Sequence, residues 1–231
     1  MKALQDKEGE LNRKEDGVNV LDWIQEVLPP HAPPDNTNNV EEKNDNEENF
    51  AHAEEAPEGL DITAGMCPPD LAANLVSWCE SQSWGGGKLL QFGWEYARPD
   101  KVLVPASPLP EIFTPLYARL KGSSEKGIDQ IIVGRYEPGN GLRAHVDSKN
   151  LFGPTVWSLS LGADINMDFI HYGSKTRHVA RLYAGDVLTL DGKDRYEWRH
   201  GIRPRMADEW DRETCPHQLR YSVRFRTVVN K

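Results

Sequence analysis

The chain has 231 residues, enough for one sizeable hydrophobic core and an additional tail. No run of about 18 apolar residues occurs and the first residues lack the apolar stretch of a signal peptide, so neither a membrane span nor secretion is expected. The three cysteines have no CxxC spacing, which argues against a disulfide framework or a zinc knot and favours the cytoplasm, the nucleus or both.

The formal net charge of −9 is concentrated near the N-terminus. Residues 35–60 carry −8 and residues 1–34 carry −3, whereas residues 61–231 carry +2. Because few apolar residues accompany this charge, we expect residues 1–60 to form a disordered acidic region. Its one apolar island, near residues 20–28, has helical spacing and is either a transient helix or a short helix that docks on a partner or on the domain.

Residues 61–231 are expected to form a single domain that begins with helices. Pro68–Asp70 precedes apolar residues with the spacing of an amphipathic helix, namely Leu71, Leu75, Trp78 and Cys79. The glycines at 85–87 end this pattern, and Glu111–Leu120 is a second helix candidate.

From residue 129 onward the sequence is typical of short strands. Strands are predicted at Ile131–Val133, Val187–Leu190 and Tyr221–Val229, and a turn is predicted at Pro138–Gly141. Residues 157–169 alternate between apolar and polar side chains, which predicts two strands with one buried face and a bend at Gly162. Helices followed by strands indicate an α+β fold, a double-stranded β-helix (jelly roll) with N-terminal helices packed on it.

A candidate metal site consists of His145 and Asp147 in an H-x-D motif, with His200 far downstream. Two histidines and one carboxylate are the ligand set of non-haem Fe(II) oxygenases, which leaves coordination positions open. Residues i and i+2 of a strand project to the same side, about 7 Å apart, so one metal can be reached by both. The short motif alone is also what chance produces in a chain with seven histidines.

The last strand candidate carries basic residues with period two. Arg220, Ser222 and Arg226 fall on one face. Arginine is preferred for bidentate carboxylate recognition, so this face is a candidate site for an anionic co-substrate. Arg224 is in phase and either joins this face or reaches solvent; a basic, solvated edge strand is the alternative for the whole segment.

Several motifs share their order and spacing with one family. They are Gln91–Tyr96, Arg135–Gly139, the H-x-D motif, Ser158–Gly162, His200–Ile202 and Arg220–Arg226. Over residues 88–229 the chain resembles the AlkB family of Fe(II)/2-oxoglutarate dioxygenases, most closely the branch that hydroxylates modified wobble uridines in tRNA. The additional RNA-binding and methyltransferase domains of that branch are outside this resemblance, so its specific substrate is not carried over.

The resemblance implies Fe(II) as cofactor, with 2-oxoglutarate and dioxygen as co-substrates. The implied catalytic iron ligands are His145, Asp147 and His200. The implied co-substrate contacts are Tyr136, Arg220, Ser222 and Arg226. Two positions depart from the bacterial pattern, since Gly134 and Ser222 stand where asparagines occur there.

The expected reaction is the oxidative hydroxylation or demethylation of modified nucleic acid, either RNA, including tRNA, or DNA. Phe92, Trp94 and Tyr96 are candidates for a substrate lid or for an ordinary core strand. The alternative function is a protein-directed oxygenase, or an interaction module that binds basic proteins such as histones through the acidic region. A monomer is expected.

Overall fold

The computed structural model describes residues 56–97, 102–120 and 127–229, together with the backbone of residues 27–28. Among these residues the helical elements are α1 (Pro69–Ser81), a 3₁₀ turn (Glu111–Phe113), α2 (Thr114–Tyr117) and α3 (Gly192–Glu197). The strands are β1 (Val27–Leu28), β2 (Leu60–Thr63), β3 (Leu89–Phe92), β4 (Trp94–Ala97), β5 (Val102–Pro105), β6 (Gln130–Tyr136), β7 (Gly141–His145), β8 (Phe152–Leu161), β9 (Ile165–His171), β10 (Arg177–Leu182), β11 (Val187–Leu190), β12 (Trp198–Ile202), β13 (Ala207–Trp210), β14 (Glu213–Pro216) and β15 (Arg220–Val228).

Two antiparallel sheets form the body of the domain. The large sheet has the order β2-β11-β8-β15-β6-β3 and the small sheet has the order β1-β7-β12-β9-β10. Strands from distant parts of the sequence alternate between the sheets, as in a double-stranded β-helix. The predicted jelly-roll fold with an N-terminal helix packed on it is therefore confirmed.

The outer face of the large sheet is covered by helices. Leu75 and Cys79 of α1 are fully buried and pack in one cluster with Trp157, Val223 and Phe225 of the sheet. The helix predicted from Pro68–Asp70 is thus confirmed, and its apolar stripe is what attaches it. Among the described residues, no helix combines the length and apolar character that crossing a lipid bilayer requires.

The second predicted helix, Glu111–Leu120, is shorter and divided. A 3₁₀ turn occupies Glu111–Phe113, and α2 begins at Thr114 with Pro115 in its first turn. Proline has no backbone N–H to donate to the preceding turn, so a continuous α-helix cannot pass through this position. Phe113 and Leu116 are nevertheless fully buried, so the segment still covers the sheet.

The alternating segment 157–169 forms β8 and β9 with a bend at Gly162, as predicted. The prediction that only one face of these strands is buried was wrong. Both faces of β8 are buried, because Trp157 and Leu159 face the helices while Ser158 and Ser160 face the interior of the barrel. Gly162 has φ +86°, and a Cβ there would lie 2.7 Å from the Leu219 carbonyl oxygen. In β8 the polar residues therefore face the interior of the barrel, whereas in β9 the apolar Met167 lines the internal pocket.

The predicted acidic region lies outside the described residues except at residues 27–28 and 56–60. Val27–Leu28 pairs antiparallel with Leu142 and Gly141 of β7. The remainder of the apolar island at 20–28 is likewise outside the described residues. At the other end of the region, Leu60 begins β2, which pairs with β11.

Helix α3 contains a buried carboxyl group without a partner. Asp194 is 1% exposed, and neither of its carboxylate oxygens has a hydrogen bond among the described residues. Burial, and secondarily the charge of Asp191, raises the pKa of Asp194 to about 7. The folded protein therefore favours the protonated, neutral form of this side chain.

We expect Asp194→Asn to stabilise the protein at pH 8 and not at pH 4. The unfolded chain ionises Asp194 near pH 4, so stability is full below that pH and falls as the pH rises towards 7. The difference amounts to roughly 2–4 kcal/mol at about 1.4 kcal/mol per pKa unit. Urea unfolding at both pH values measures the free energy of unfolding of each variant. Asp191→Asn, at an exposed position, removes only the secondary charge and should raise the free energy of unfolding at pH 8 by less than Asp194→Asn does. An equal effect of Asp194→Asn at both pH values would contradict the assignment.

Candidate metal centre and co-substrate pocket

The structure brings together the three predicted metal ligands inside the barrel. His145 ends β7, Asp147 follows two residues later, and His200 of β12 is the direct cross-strand partner of His145. One donor atom from each residue lies within 4.8 Å of the others, and all three residues are buried. The His200 Nε2 atom is 3.6 Å from an Asp147 carboxylate oxygen. This spacing suits a single metal ion.

The protonation states of the cluster also suit a cation. Burial lowers the pKa of His145 to about 4 and the pKa of His200 well below its ordinary value. Burial alone would raise the pKa of Asp147, but Arg226, the two imidazoles and Arg195 together hold that pKa well below its usual range. At neutral pH the site therefore offers two neutral imidazoles and one carboxylate, the forms that bind metals.

A hydrogen bond sets the tautomer of His145. Its Nδ1 atom lies 2.9 Å from the carbonyl oxygen of Arg143, and a carbonyl can only accept. Nδ1 therefore carries the proton, and the lone pair of the ring is on Nε2. Metal-binding histidines are commonly oriented by a bond of this kind.

Two buried arginines fix Asp147. The Arg226 Nη2 atom forms an ion pair with its carboxylate, while the Arg226 Nη1 atom donates to Gln130 Oε1 at 3.2 Å. Arg195 donates to the backbone carbonyls of Asp147 at 2.7 Å and of Ser148 at 3.2 Å. No sequence motif identifies Arg195 as a site residue. It reaches Asp147 and Ser148 because α3 packs beside the loop that follows β7.

Arg220 presents an unused pair of donors in a pocket next to the metal cluster. Its Nε atom donates to Ser160 Oγ at 3.0 Å, whereas Nη1 and Nη2 are buried without a hydrogen bond among the described residues. Burial lowers the pKa of Arg220 to about 10, so it stays charged at neutral pH. Such a fork matches a carboxylate. Ser222 lines the same pocket with its Oγ atom 3.1 Å from Ser158 Oγ.

Tyr136 lies under the Arg220 guanidinium, 5.6 Å from ring centroid to Cζ. Its position depends on Gly134, where a Cβ would lie 2.8 Å from Tyr136 Cε2 and 3.1 Å from its hydroxyl oxygen. The departure from the family pattern at Gly134 thus creates the space that Tyr136 fills. The cluster and the Arg220 fork together fit Fe(II) and 2-oxoglutarate, since the ligand types and the orphaned donors are those the two species require.

Arg224 joins the internal face and does not reach solvent. It is 6% exposed, lines the pocket with His200 and Arg220, and places its Nη2 atom 3.5 Å from the Tyr136 hydroxyl oxygen. The period-two pattern predicted that Arg224 shares a face with Arg220 and Arg226, but it did not predict whether that face is buried or exposed. Arg224 is buried because β15 lies in the centre of the large sheet, where its inward face is covered by the small sheet.

The aromatic residues considered for a lid do not share one face. Gly93, at φ +75°, separates β3 from β4, and Phe92 packs against Trp78 whereas Tyr96 packs edge-on against Phe152. Phe92 packs on the cluster beneath α1, whereas Trp94 and Tyr96 belong together to a second cluster. Tyr96 is buried, and Phe92 and Trp94 pack partly buried against these clusters, so the rings belong to the core of the domain.

We expect Asp147→Asn to abolish tight metal binding and to reduce the free energy of unfolding by about 3–5 kcal/mol, because Arg226 would keep a buried charge without its counter-ion. Titration calorimetry with Mn(II) and urea unfolding measure the two effects. His178→Gln, a histidine outside the cluster, is the control. Mn(II) binding by Asp147→Asn at the parent affinity would refute the ligand assignment.

We expect Arg224→Met to weaken 2-oxoglutarate binding to the Mn(II)-loaded protein about tenfold, since a buried cation is worth roughly 1.4 kcal/mol or more to a dianion nearby. Arg224→Lys should retain part of the affinity because it keeps the charge. Calorimetric titration of 2-oxoglutarate measures both variants. Equal affinities of Arg224→Met and the parent would show that Arg224 serves the fold alone.

Comparison with known proteins was consistent across sequence and structure. Residues 42–226 match the model of the 2OG-Fe(II) oxygenase superfamily. The mouse protein tRNA (carboxymethyluridine(34)-5-O)-methyltransferase ALKBH8 is 35% identical over 67% of this chain, and its Xenopus tropicalis counterpart is 30% identical over 66%. The solved structure of OsALKBH1 superposes with a TM-score of 0.54 at 17% identity, covering 75% of this chain and 98% of that one, which supports the fold.

The chain spans about a quarter, 26%, of the length of these two ALKBH8 relatives. The resemblance to the AlkB family is confirmed, as is the expectation of an Fe(II)- and 2-oxoglutarate-dependent dioxygenase. The protein belongs to the 2OG-Fe(II) oxygenase superfamily.

Proposed function

We propose that this domain oxidises an alkyl group on a modified base of nucleic acid, with RNA as the preferred polymer. The observation that carries the proposal is the enclosed His145–Asp147–His200 cluster beside the Arg220 fork. Support for the polymer comes from relatives, because the mouse and frog ALKBH8 proteins are named for a modified tRNA uridine. An Arabidopsis thaliana relative, 29% identical over 53% of this chain, is described as an alkylated DNA repair protein.

In this proposal each site residue has one role. His145, Asp147 and His200 hold Fe(II), while Arg220 binds the distal carboxylate of 2-oxoglutarate with help from Tyr136 and Ser222. Arg226 keeps Asp147 ionised and oriented. Iron held by His145, Asp147 and His200 would supply oxidative chemistry in which one atom of dioxygen ends in succinate, formed with carbon dioxide from 2-oxoglutarate, and the other ends in a substrate C–H bond. An N-methyl target becomes N-hydroxymethyl, which releases formaldehyde and leaves N–H on the base.

The surroundings of the cluster keep its geometry fixed during turnover. Phe169 lies beside His200, with ring centroids 6.5 Å apart, and with Met167 it belongs to the apolar cluster inside the barrel. This apolar packing excludes water from one side of the centre. Arg195 and Arg226 hold Asp147 from the backbone and the side chain, so the ligand set does not need to reorganise when metal binds.

The alternative, a protein-directed oxygenase or a module that binds histones, depends on the charge of residues 35–60. Nothing in residues 56–97, 102–120 and 127–229 favours it. Placement in the cytoplasm or nucleus and a monomeric state remain predictions from the sequence.

We expect the iron-loaded protein to convert an alkylated or modified base in tRNA or an RNA oligonucleotide with stoichiometric formation of succinate. Mass spectrometry of the digested nucleosides detects the product, and Asp147→Asn is the inactive control. The same assay with histone peptides tests the alternative. Turnover of peptides without turnover of any modified RNA or DNA would refute the proposal.

A further inference from the structure

A second surface, the tyrosine groove, lies next to the metal centre but opens to solvent. It is formed by Lys149 after β7, Tyr172 after β9, and Tyr196 and Arg199 around the start of β12, and it encloses about 550 Å³. This volume is in the range of roughly 300–1,000 Å³ found for ligand-binding clefts. The groove therefore has room for a ligand of its own.

The groove and the metal cluster share strands. Arg199 immediately precedes His200 on β12, and neighbouring residues of a strand point to opposite sides, so His200 faces the interior while Arg199 faces the groove. Val146, which also lines the groove, lies between His145 and Asp147 in the segment where β7 ends. A molecule held in the groove is therefore close to the oxidising centre without occupying it.

Two tyrosine rings in or beside the groove each have a lysine ammonium over one face. Lys149 Nζ lies 5.6 Å from the centroid of Tyr196, and Lys175 Nζ lies 5.3 Å from the centroid of Tyr172. Tyr172 is 47% exposed, and both lysines are exposed. An exposed lysine can leave a ring at little cost, which frees the ring face for a base and the ammonium for a phosphate.

The charges at the groove favour a polyanion. Lys149, Lys175 and Arg199 are positive, while the single carboxylate lining the groove, Glu197, has His171 Nε2 3.6 Å away. Tyr196 is also held from beneath by the buried Arg195, whose Cζ lies 5.2 Å from the ring centroid. The Tyr196 ring thus contacts the exposed cation of Lys149 and the buried cation of Arg195.

We propose that the tyrosine groove binds a single-stranded segment of nucleic acid beside the oxidised nucleotide, with bases on Tyr172 and Tyr196 and phosphates on Lys149, Lys175 and Arg199. Aromatic platforms combined with basic side chains are the means by which proteins bind single strands without reading their sequence. The proposal rests on the proposed function, since it supplies the contacts that hold the substrate strand. An acidic peptide would contact the cations of the groove but would not stack on its tyrosine rings.

The test uses fluorescence anisotropy with the full chain and a fluorescein-labelled single-stranded RNA of about twelve nucleotides, within the usual span of such sites. Tyr172→Ala with Tyr196→Ala should weaken binding by about 10- to 100-fold, whereas the corresponding phenylalanine variants should bind like the parent. Lys149→Met should weaken binding and reduce its dependence on salt concentration. Tyr183→Ala removes an equally exposed tyrosine, 50% exposed with Arg181 over its ring, and should have no effect.

Polyglutamate of the same net charge as the RNA is the control ligand. It can form ion pairs with the groove but has no bases that stack on the tyrosines. Binding of polyglutamate as tight as that of RNA, or RNA binding that does not respond to the alanine variants, would overturn the proposal. Thermal unfolding of each variant verifies that the fold is intact. RNA binding that depends on the tyrosines supports the groove even if no modified base is oxidised, while base oxidation that proceeds equally well in the alanine variants would reject the groove and leave the proposed function standing.

Discussion

The ion pair between Asp147 and Arg226 connects the two halves of the site. Asp147 belongs to the segment after β7 of the small sheet, and Arg226 belongs to β15 in the centre of the large sheet. Both side chains are fully buried, and further hydrogen bonds support the pair, from Arg226 to Gln130 and from Arg195 to the backbone carbonyl of Asp147. The pair is therefore a direct link between the segment of the metal ligands and the co-substrate strand.

The lining of the pocket beside the metal cluster nevertheless includes Arg220 and Arg224 and no carboxylate among the described residues. Arg220, Arg224 and Arg226 all project inward from β15, and of these Arg226 is paired with Asp147. A low-dielectric interior makes surplus charge costly, and two buried donors of Arg220 are orphaned as well. A dianionic oxoacid supplies both the counter-charge and the acceptors. The charge and the orphaned donors of this pocket thus favour a dianionic co-substrate.

Much of the fold and of the centre was predictable because short periodic patterns encode both. Period two located β8, β9 and β15, and it placed the internal arginines on one face. Which side of each strand faces the interior was less predictable. At Gly162 and Gly93 the backbone has positive φ, and the alternation of inward and outward side chains is reversed or interrupted there. The tyrosine groove and Arg195 were out of reach, because they are assembled from segments that meet only after the sheets close.

The two sides of β12 and of the segment that ends β7 have different roles in this architecture. Inward residues carry the metal ligands, whose neighbours are buried arginines and apolar rings, so this side tolerates little variation. Arg199 of β12 and Val146, just after β7, line a solvent-exposed groove whose other residues come from the end of β9, from helix α3 and from the loops after β7 and β9. Loop residues can change without disturbing the sheet. Substrate selection can therefore diverge at the groove while the oxidising centre, fixed by the Asp147–Arg226 pair, remains the same.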